Sequence, residues 1–119
     1  LAVFSTSPAI RQPFQNTITE AIGTMVLMFG ALAASAPSNS LGALDALPVA
    51  LLVVGIGMGL GGPTGYAINP ARDLGPRIAH YIWPIPGKRD SDWMYSWVPI
   101  VGPIVGALIG ASLYHCVGV

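Results

Sequence analysis

Charge is scarce in this sequence. Only 8% of its 119 residues are charged, against about 25% in an ordinary soluble domain. Five basic and five acidic residues cancel, so no net field draws the chain to nucleic acid or to an acidic surface. Cysteine is scarcer still. Cys116 stands alone, which excludes an internal disulfide and any cysteine metal cluster. His80 and His115 have no carboxylate or cysteine companions at ligand spacing. No serine-histidine-acid or paired-carboxylate grouping stands out, so neither an enzyme nor a cofactor is expected. The sequence starts at Leu1 without a basic stretch before a short apolar run. That is not a signal peptide; it reads as a start in mid-protein.

What the chain has in quantity is apolar surface. Hydrophobic residues make up 53% and mean hydropathy is +0.65. The 15 glycines and 11 prolines suit membrane helices, which carry more of both than soluble ones. Three segments have the length and apolarity to cross a bilayer: residues 18–36, with Glu20 their one charge; residues 46–62, with none; and residues 97–117. Between them lie a short polar turn at 37–45 and a loop at 84–92 carrying Lys88, Arg89, Asp90 and Asp92. Tyr81, Trp83, Trp93, Tyr95 and Trp97 flank that wet loop as an interfacial belt. The expected fold is an all-α membrane protein in one domain, 1–119.

Two glycine patterns read as small-residue features, the first packing against a neighbouring helix and the second either packing against other helices or lying beside a pore. Gly102, Gly106 and Gly110 form overlapping GxxxG steps along one face of the last span and let a neighbouring backbone approach. Gly57, Gly59 and Gly62 match the dinucleotide pattern GxGxxG. However, a span-length apolar run precedes them and Pro63 follows, where the true motif needs a short strand and then a helix.

The stretch "GYAINPARDLGPR", residues 65–77, carries the most chemistry. Asn69 suits an N-cap and Pro70 the first helical position. A helix is expected from Asn69 to about Ile82, before Pro84; its length of about 21 Å is too short to span. The glycine, proline and threonine before it read as irregular backbone, which lipid tolerates only when buried in protein or lining a wet cavity. The expected order is therefore span, irregular segment, half-helix, wet loop and span, as in a re-entrant pore loop.

Arg72 then stands where the helix dipole disfavours a cation and where membrane depth costs at least about 2.5–3.5 kcal/mol. Either the half-helix lies on the surface with Arg72 solvated, or its five donors face a narrow wet passage and repel cations. Asp73 and Arg77, four apart, suit an ion pair, and Asp73 also offsets part of the Arg72 penalty. Glu20 has two readings. "TITE" matches a capping box; alternatively the helix starts near Pro13, and Glu20 is buried and accepts bonds from backbone N–H groups of the irregular loop.

At "NPARDLGPR" the sequence resembles the second half of the aquaporin superfamily, and within it the aquaglyceroporins or glycerol facilitators. The likeness runs over nearly the whole chain: the acidic residue of the first span, the glycine-rich end of the second, the Asn-Pro-Ala-Arg signature and "VPIVGPIVGALIG". Asp73, Arg77, Pro99, Ile100 and Gly57 look like the glycerol-type pattern. The resemblance implies three transmembrane helices and one re-entrant half-helix, one of two inverted repeats. Asn69, with Pro70 and Ala71, would hold its amide toward the permeant at the pore centre. Arg72, Tyr66 and the small Gly57 would form the filter, with Gly57 leaving room for a carbon backbone. Carbonyls of Gly65, Tyr66, Ala67 and Ile68 would form an acceptor ladder, and Glu20 would be its strut, with Asp73 supporting the half-helix.

The implied function is passive conduction of glycerol, similar small neutral solutes and water. The alternatives are a water-selective channel or, from another class, a broken-helix repeat of a secondary transporter. The implied partners are an N-terminal repeat of the same channel, further copies in a homotetramer, and the lipid of a plasma membrane that the chain crosses several times. The family orientation puts 37–45 in the cytoplasm and the Lys88 loop outside, against the vote of Lys88 and Arg89 under the positive-inside rule. Tyr66, where the pattern has phenylalanine, and Ser7, where it often has an aromatic, leave the exact solute open.

Overall fold

The computed structural model describes residues 1–118. It is all-helical: α1 (Pro13–Ala34), α2 (Leu47–Thr64), α3 (Pro70–Ile82) and α4 (Val98–Val117), with 3-10 turns at Pro37–Asn39, Gly42–Leu44 and Trp93–Tyr95. Helices α1, α2 and α4, the last two counted with the turns before them, are each long and apolar enough to cross a membrane. The 13 residues of α3 reach only about 20 Å.

One boundary decides between the two sequence readings of Glu20, and another differs from the sequence expectation. Helix α1 starts at Pro13, not at Ile18, because proline fits the first turn and the Asn16 N–H already reaches the Gln12 carbonyl at 2.8 Å. "TITE" therefore lies inside the helix and caps nothing. Helix α2 runs through Pro63 to Thr64, where irregular backbone was expected. So near the helix end, the missing proline N–H costs only one bond. The turn still closes through the Gly65 N–H to the Gly61 carbonyl at 2.8 Å, with Gly65 left-handed at φ 79°, a glycine helix stop. The orphan Pro63 carbonyl accepts from the N–H groups of Ala9 and Ile10, which ties the N-terminal segment to this end of α2.

The seam between α1 and α4 is built on glycine. A Cβ at Gly106 would stand 2.1 Å from the Ala21 carbonyl oxygen, one at Gly110 2.5 Å from that of Met25, and one at Gly102 2.7 Å from the Glu20 Cβ. The small residues thus let backbone meet backbone. Gly30 plays the same part toward α2, where a Cβ would be 2.4 Å from Leu52 Cδ2.

The molecule is inside-out by soluble standards. Its buried side chains include Asn16, Glu20, Thr24, Asp73, Arg77 and His80, while Leu51, Val54, Met58, Ile104 and Leu108 are exposed, Met58 at 85%. Large apolar side chains facing outward and paired polar groups inward are what hydrocarbon surroundings select. Within the aromatic belt, Tyr81, Trp83, Trp93 and Trp97 are exposed as a belt requires, but Tyr95 is buried. Its hydroxyl accepts from Asn16 Nδ2 at 3.2 Å, which takes it out of the interface.

Candidate functional site

The irregular segment between α2 and α3 is held in a costly shape. Gly65 is left-handed, and so are Tyr66 at φ 43° and Ile68 at φ 46°. For a β-branched residue such as isoleucine this is a true outlier, at about 1–3 kcal/mol per residue. Glu20 supplies the counterweight. Its Oε1 accepts from the Ala67 N–H at 2.9 Å and its Oε2 from the Ile68 N–H at 2.7 Å, with the side chain buried. Charge-assisted bonds of this kind are the strong ones. Ala67 and Ile68 are buried, and Ile68 Cγ2 lies against Gly23, where a Cβ would approach to 3.1 Å. Among the described residues, the carbonyls of Gly65, Ala67 and Ile68 accept no hydrogen bond. The loop therefore spends the Ala67 and Ile68 N–H groups on Glu20 and the Tyr66 N–H on Thr64 Oγ1, and of the three unbonded carbonyls that of Ala67 is wholly buried.

Asn69 caps α3. Its Oδ1 accepts from the Ala71 N–H at 2.9 Å, which orients the amide so that Nδ2, without a partner among the described residues, stays available as a donor. Asn69 and Arg72 are both exposed. Arg72 folds back toward the loop: Nη1 donates to the Tyr66 carbonyl, and its Cζ lies 4.6 Å from the centroid of the Tyr66 ring, within cation–π range. The Tyr66 ring lies along the glycines of α2. A Cβ at Gly57 would stand 3.1 Å from ring carbon Cζ, and one at Gly61 2.6 Å from Cδ1. Here the sequence expectation needs correcting. The room that Gly57 leaves is taken by the Tyr66 ring rather than left open, because the left-handed Tyr66 turns its side chain back onto α2.

Beyond Arg72 lies a buried polar layer. Asp73 and Arg77 pair through Arg77 Nε to Asp73 Oδ1 at 2.8 Å and Nη2 to Oδ2 at 2.9 Å, and both residues are wholly buried. Asp73 Oδ2 also accepts from the Thr6 N–H at 2.9 Å and from the Thr6 hydroxyl. Arg77 goes on to the carbonyls of Ser91, Asp92 and Thr6 at 2.7, 3.0 and 3.0 Å. Asp73 thus does more than support its own helix: it anchors the N-terminal segment. One turn on, His80 Nδ1 meets Ser91 Oγ at 2.8 Å, and the ring packs edge-on against Phe4. Burial pushes the imidazole pKa below its ordinary value, and nearby cationic groups, Lys88 and Arg77 among them, push the same way. Lys88 Nζ closes the end of α3 by donating to the carbonyls of His80, Tyr81 and Trp83 at 3.0, 2.7 and 2.6 Å, a cation where the helix dipole favours one.

Two cavities open beside these groups. One of about 380 Å³ is bordered by residues 2–7, Gly65, Arg72 and Pro76. Another of about 380 Å³ has Asn69 on a wall otherwise made mostly of apolar side chains from α1 and α4, Leu27 and Ile104 among them. Sequence reasoning missed Thr6 and Ser91, which meet α3 through backbone atoms as well as hydroxyls and carry no pattern of their own. It also missed Ser5, whose Oγ is buried without a partner. Among the described residues, no group of three or more His, Cys, Asp or Glu could hold a metal ion.

Comparison with known proteins places this geometry. The family described as major intrinsic protein matches residues 2–114. A probable glycerol uptake facilitator protein of Thermotoga maritima is 64% identical over 115 residues, which are 97% of this chain and 49% of that protein. A glycerol uptake facilitator protein of Bacillus subtilis is 59% identical over 102 residues, 86% of this chain and 37% of that one. Among solved structures, the aquaglyceroporin of Plasmodium falciparum superposes with a TM-score of 0.81 at 31% identity, covering 93% of this chain and 48% of that chain. The chain thus spans about half the length or less of these relatives.

Proposed function

We propose a passive solute channel as the function, starting from the fact that this chain belongs to the major intrinsic protein family. The whole protein conducts glycerol, similar small neutral solutes and water across the plasma membrane, and this chain is one wall of the conduit. An N-terminal repeat of the same channel supplies the facing wall, and four copies assemble.

One observation carries the reading: the Gly65 and Ile68 carbonyls carry no hydrogen bond among the described residues, on a loop bounded by the free Nδ2 of Asn69 and by Arg72, while Ala67 between them is wholly buried. A polyol that sheds its water needs acceptors for its hydroxyl protons, donors for its oxygens, and an apolar side for its CH groups. The carbonyls meet the first need and Asn69 and Arg72 the second. The Tyr66 ring on Gly57 and the apolar wall beside Asn69 meet the third. Arg72 at the mouth also repels cations. Glu20, with Pro70, Ala71 and Asp73, supports this loop, and Pro70 also borders the cavity beside Asn69. The route needs no covalent step and no cofactor, and the names of the relatives, glycerol uptake facilitators among them, point to the same solute.

A water-selective channel is the second reading, favoured by the Tyr66 ring filling the space over Gly57. Reconstitution of the full-length protein in vesicles decides between them. In an inward glycerol gradient the vesicles are expected to shrink and then reswell with solute entry. Shrinkage without reswelling above protein-free vesicles would leave water alone as the permeant.

A further inference from the structure

His80 is a buried imidazole that the solute route does not use. It sits near the end of α3 at 2% exposure, and three segments meet on it. Its Nδ1 lies 2.8 Å from Ser91 Oγ, its ring packs edge-on against Phe4 with 5.4 Å between centroids, and its own carbonyl accepts from Lys88 Nζ at 3.0 Å. The residue also borders a cavity of about 600 Å³, with Arg11, Lys88, Arg89, Asp90 and Asp92 on its walls, so water can bring it a proton. The charges nearby mostly oppose that proton: Lys88 and Arg77 disfavour it and Asp90 favours it. Arg89 stands exposed on the same cavity, Arg11 and Asp92 pair with each other, and Asp73 is taken by Arg77 and Thr6. A positive charge added to a buried ring beside two cations is disfavoured, and one of the contacts has to yield. Ser91 is pinned by Arg77 through its carbonyl at 2.7 Å, and Lys88 by the three carbonyls that end α3. Phe4 has no polar group and rests on the imidazole by contact alone. It also borders the 380 Å³ chamber over Gly65 and Arg72, and so stands between the two cavities.

We propose that His80 is a proton-operated latch on the mouth: neutral, it holds Phe4 against α3; protonated, it releases Phe4 into the chamber over Arg72, so that acid lowers solute flux. This inference rests on the channel reading above and adds a control of when the passage is open. His80 acts as a positioning residue. It touches no solute; it sets where the Phe4 ring lies.

The test measures glycerol permeability of full-length protein in vesicles, with the same pH on both sides, from about pH 8 to about pH 5, the range in which histidine changes charge. In wild type a several-fold fall is expected. Histidine ordinarily titrates near ~6.5, and burial with the two cations lowers His80, so the fall is expected below that value and reverses on return to neutral pH. His80→Gln stays neutral and can still bond Ser91; its permeability is expected to hold level across the range. Phe4→Ala keeps the titrating ring but removes the moving one, and is expected to be level as well, which tests the latch even where the His80 variant folds poorly. A wild-type profile that is level, a fall that does not reverse, or the same fall in His80→Gln or in Phe4→Ala overturns the inference and leaves the channel reading standing. A wild-type protein that admits no glycerol at any pH removes the channel reading itself, and this inference with it.

Discussion

Replacing Glu20 by glutamine takes away one of the two oxygens that hold Ala67 and Ile68 and sets an amide NH₂ against a backbone N–H. The bonds concerned are 2.9 and 2.7 Å long, and the side chain is 2% exposed, so water cannot take over. A hydrogen bond to a charged group contributes about 1.5–3 kcal/mol, and a buried unsatisfied donor costs about 1–3 kcal/mol. These descriptions overlap, and a net loss of about 2–3 kcal/mol follows. The strain at Tyr66 and Ile68 is of the same size, about 1–3 kcal/mol each. The loop is thus left without the restraint that balances its left-handed residues, and the carbonyl run loses its alignment. At 1.36 kcal/mol per decade, that loss corresponds to a fall of about 30- to 150-fold in the ratio of aligned to misaligned loop. Stopped-flow light scattering of reconstituted full-length protein, normalised to folded protein, is the assay. Glu20→Asp serves as the companion: it keeps both oxygens one methylene too far away, and is expected to lose glycerol flux as well. A Glu20→Gln protein with glycerol flux within about twofold of wild type would show that the loop keeps its shape without the carboxylate, and would refute the balance described here.

Other outcomes follow from the same contacts. Gly57→Ala brings a methyl group to 3.1–3.4 Å from the Tyr66 ring, so the ring must shift; glycerol flux is expected to fall more than water flux, and equal falls would contradict the packing. Gly106→Ala places a methyl 2.1 Å from the Ala21 carbonyl, and overpacking of this kind costs about 1–3 kcal/mol; thermal unfolding in detergent should drop clearly, and an unchanged midpoint would mean the seam is looser than described. His80 is buried with a lowered pKa, so its contribution to stability is present above the ordinary histidine pKa and is lost as pH falls through its lowered value. Protease nicking of the 84–92 loop is therefore expected to rise on acidification in wild type and to be flatter in His80→Asn; identical pH profiles would remove His80 from that role.

Much of the fold was legible because its signals are local. Charge-free runs mark the spans, and Asn69–Pro70 announces a helix start that the structure has at the same place, with Asn69 as the cap and Pro70 first in the helix. The period of four in Gly102, Gly106 and Gly110 announces a close helix contact, and α1 takes it. What stayed hidden depends on partners distant in sequence. Glu20 meets N–H groups 47 and 48 residues away, and every residue but proline has such a group, so sequence could not choose between a cap and a buried acceptor. Thr6 and Ser91 were invisible for the same reason. Arg77 reaches their carbonyls, and any residue type offers a carbonyl. Tyr66 was legible as a departure from pattern, but the direction of its ring was not, because that follows from a left-handed φ that tyrosine rarely adopts.

The contact between α1 and α4 limits how this protein can move. Where two helices touch through side chains, rotamer changes let one slide past the other. At Ala21 and Met25 there is carbonyl oxygen on one side and bare Cα on the other, with no side chain to reorient. Even a small turn of α4 about its axis would drive Val105 or Ala107 toward that oxygen. Sliding of the two helices is therefore resisted at these two points by backbone against backbone, which no rotamer change can relieve.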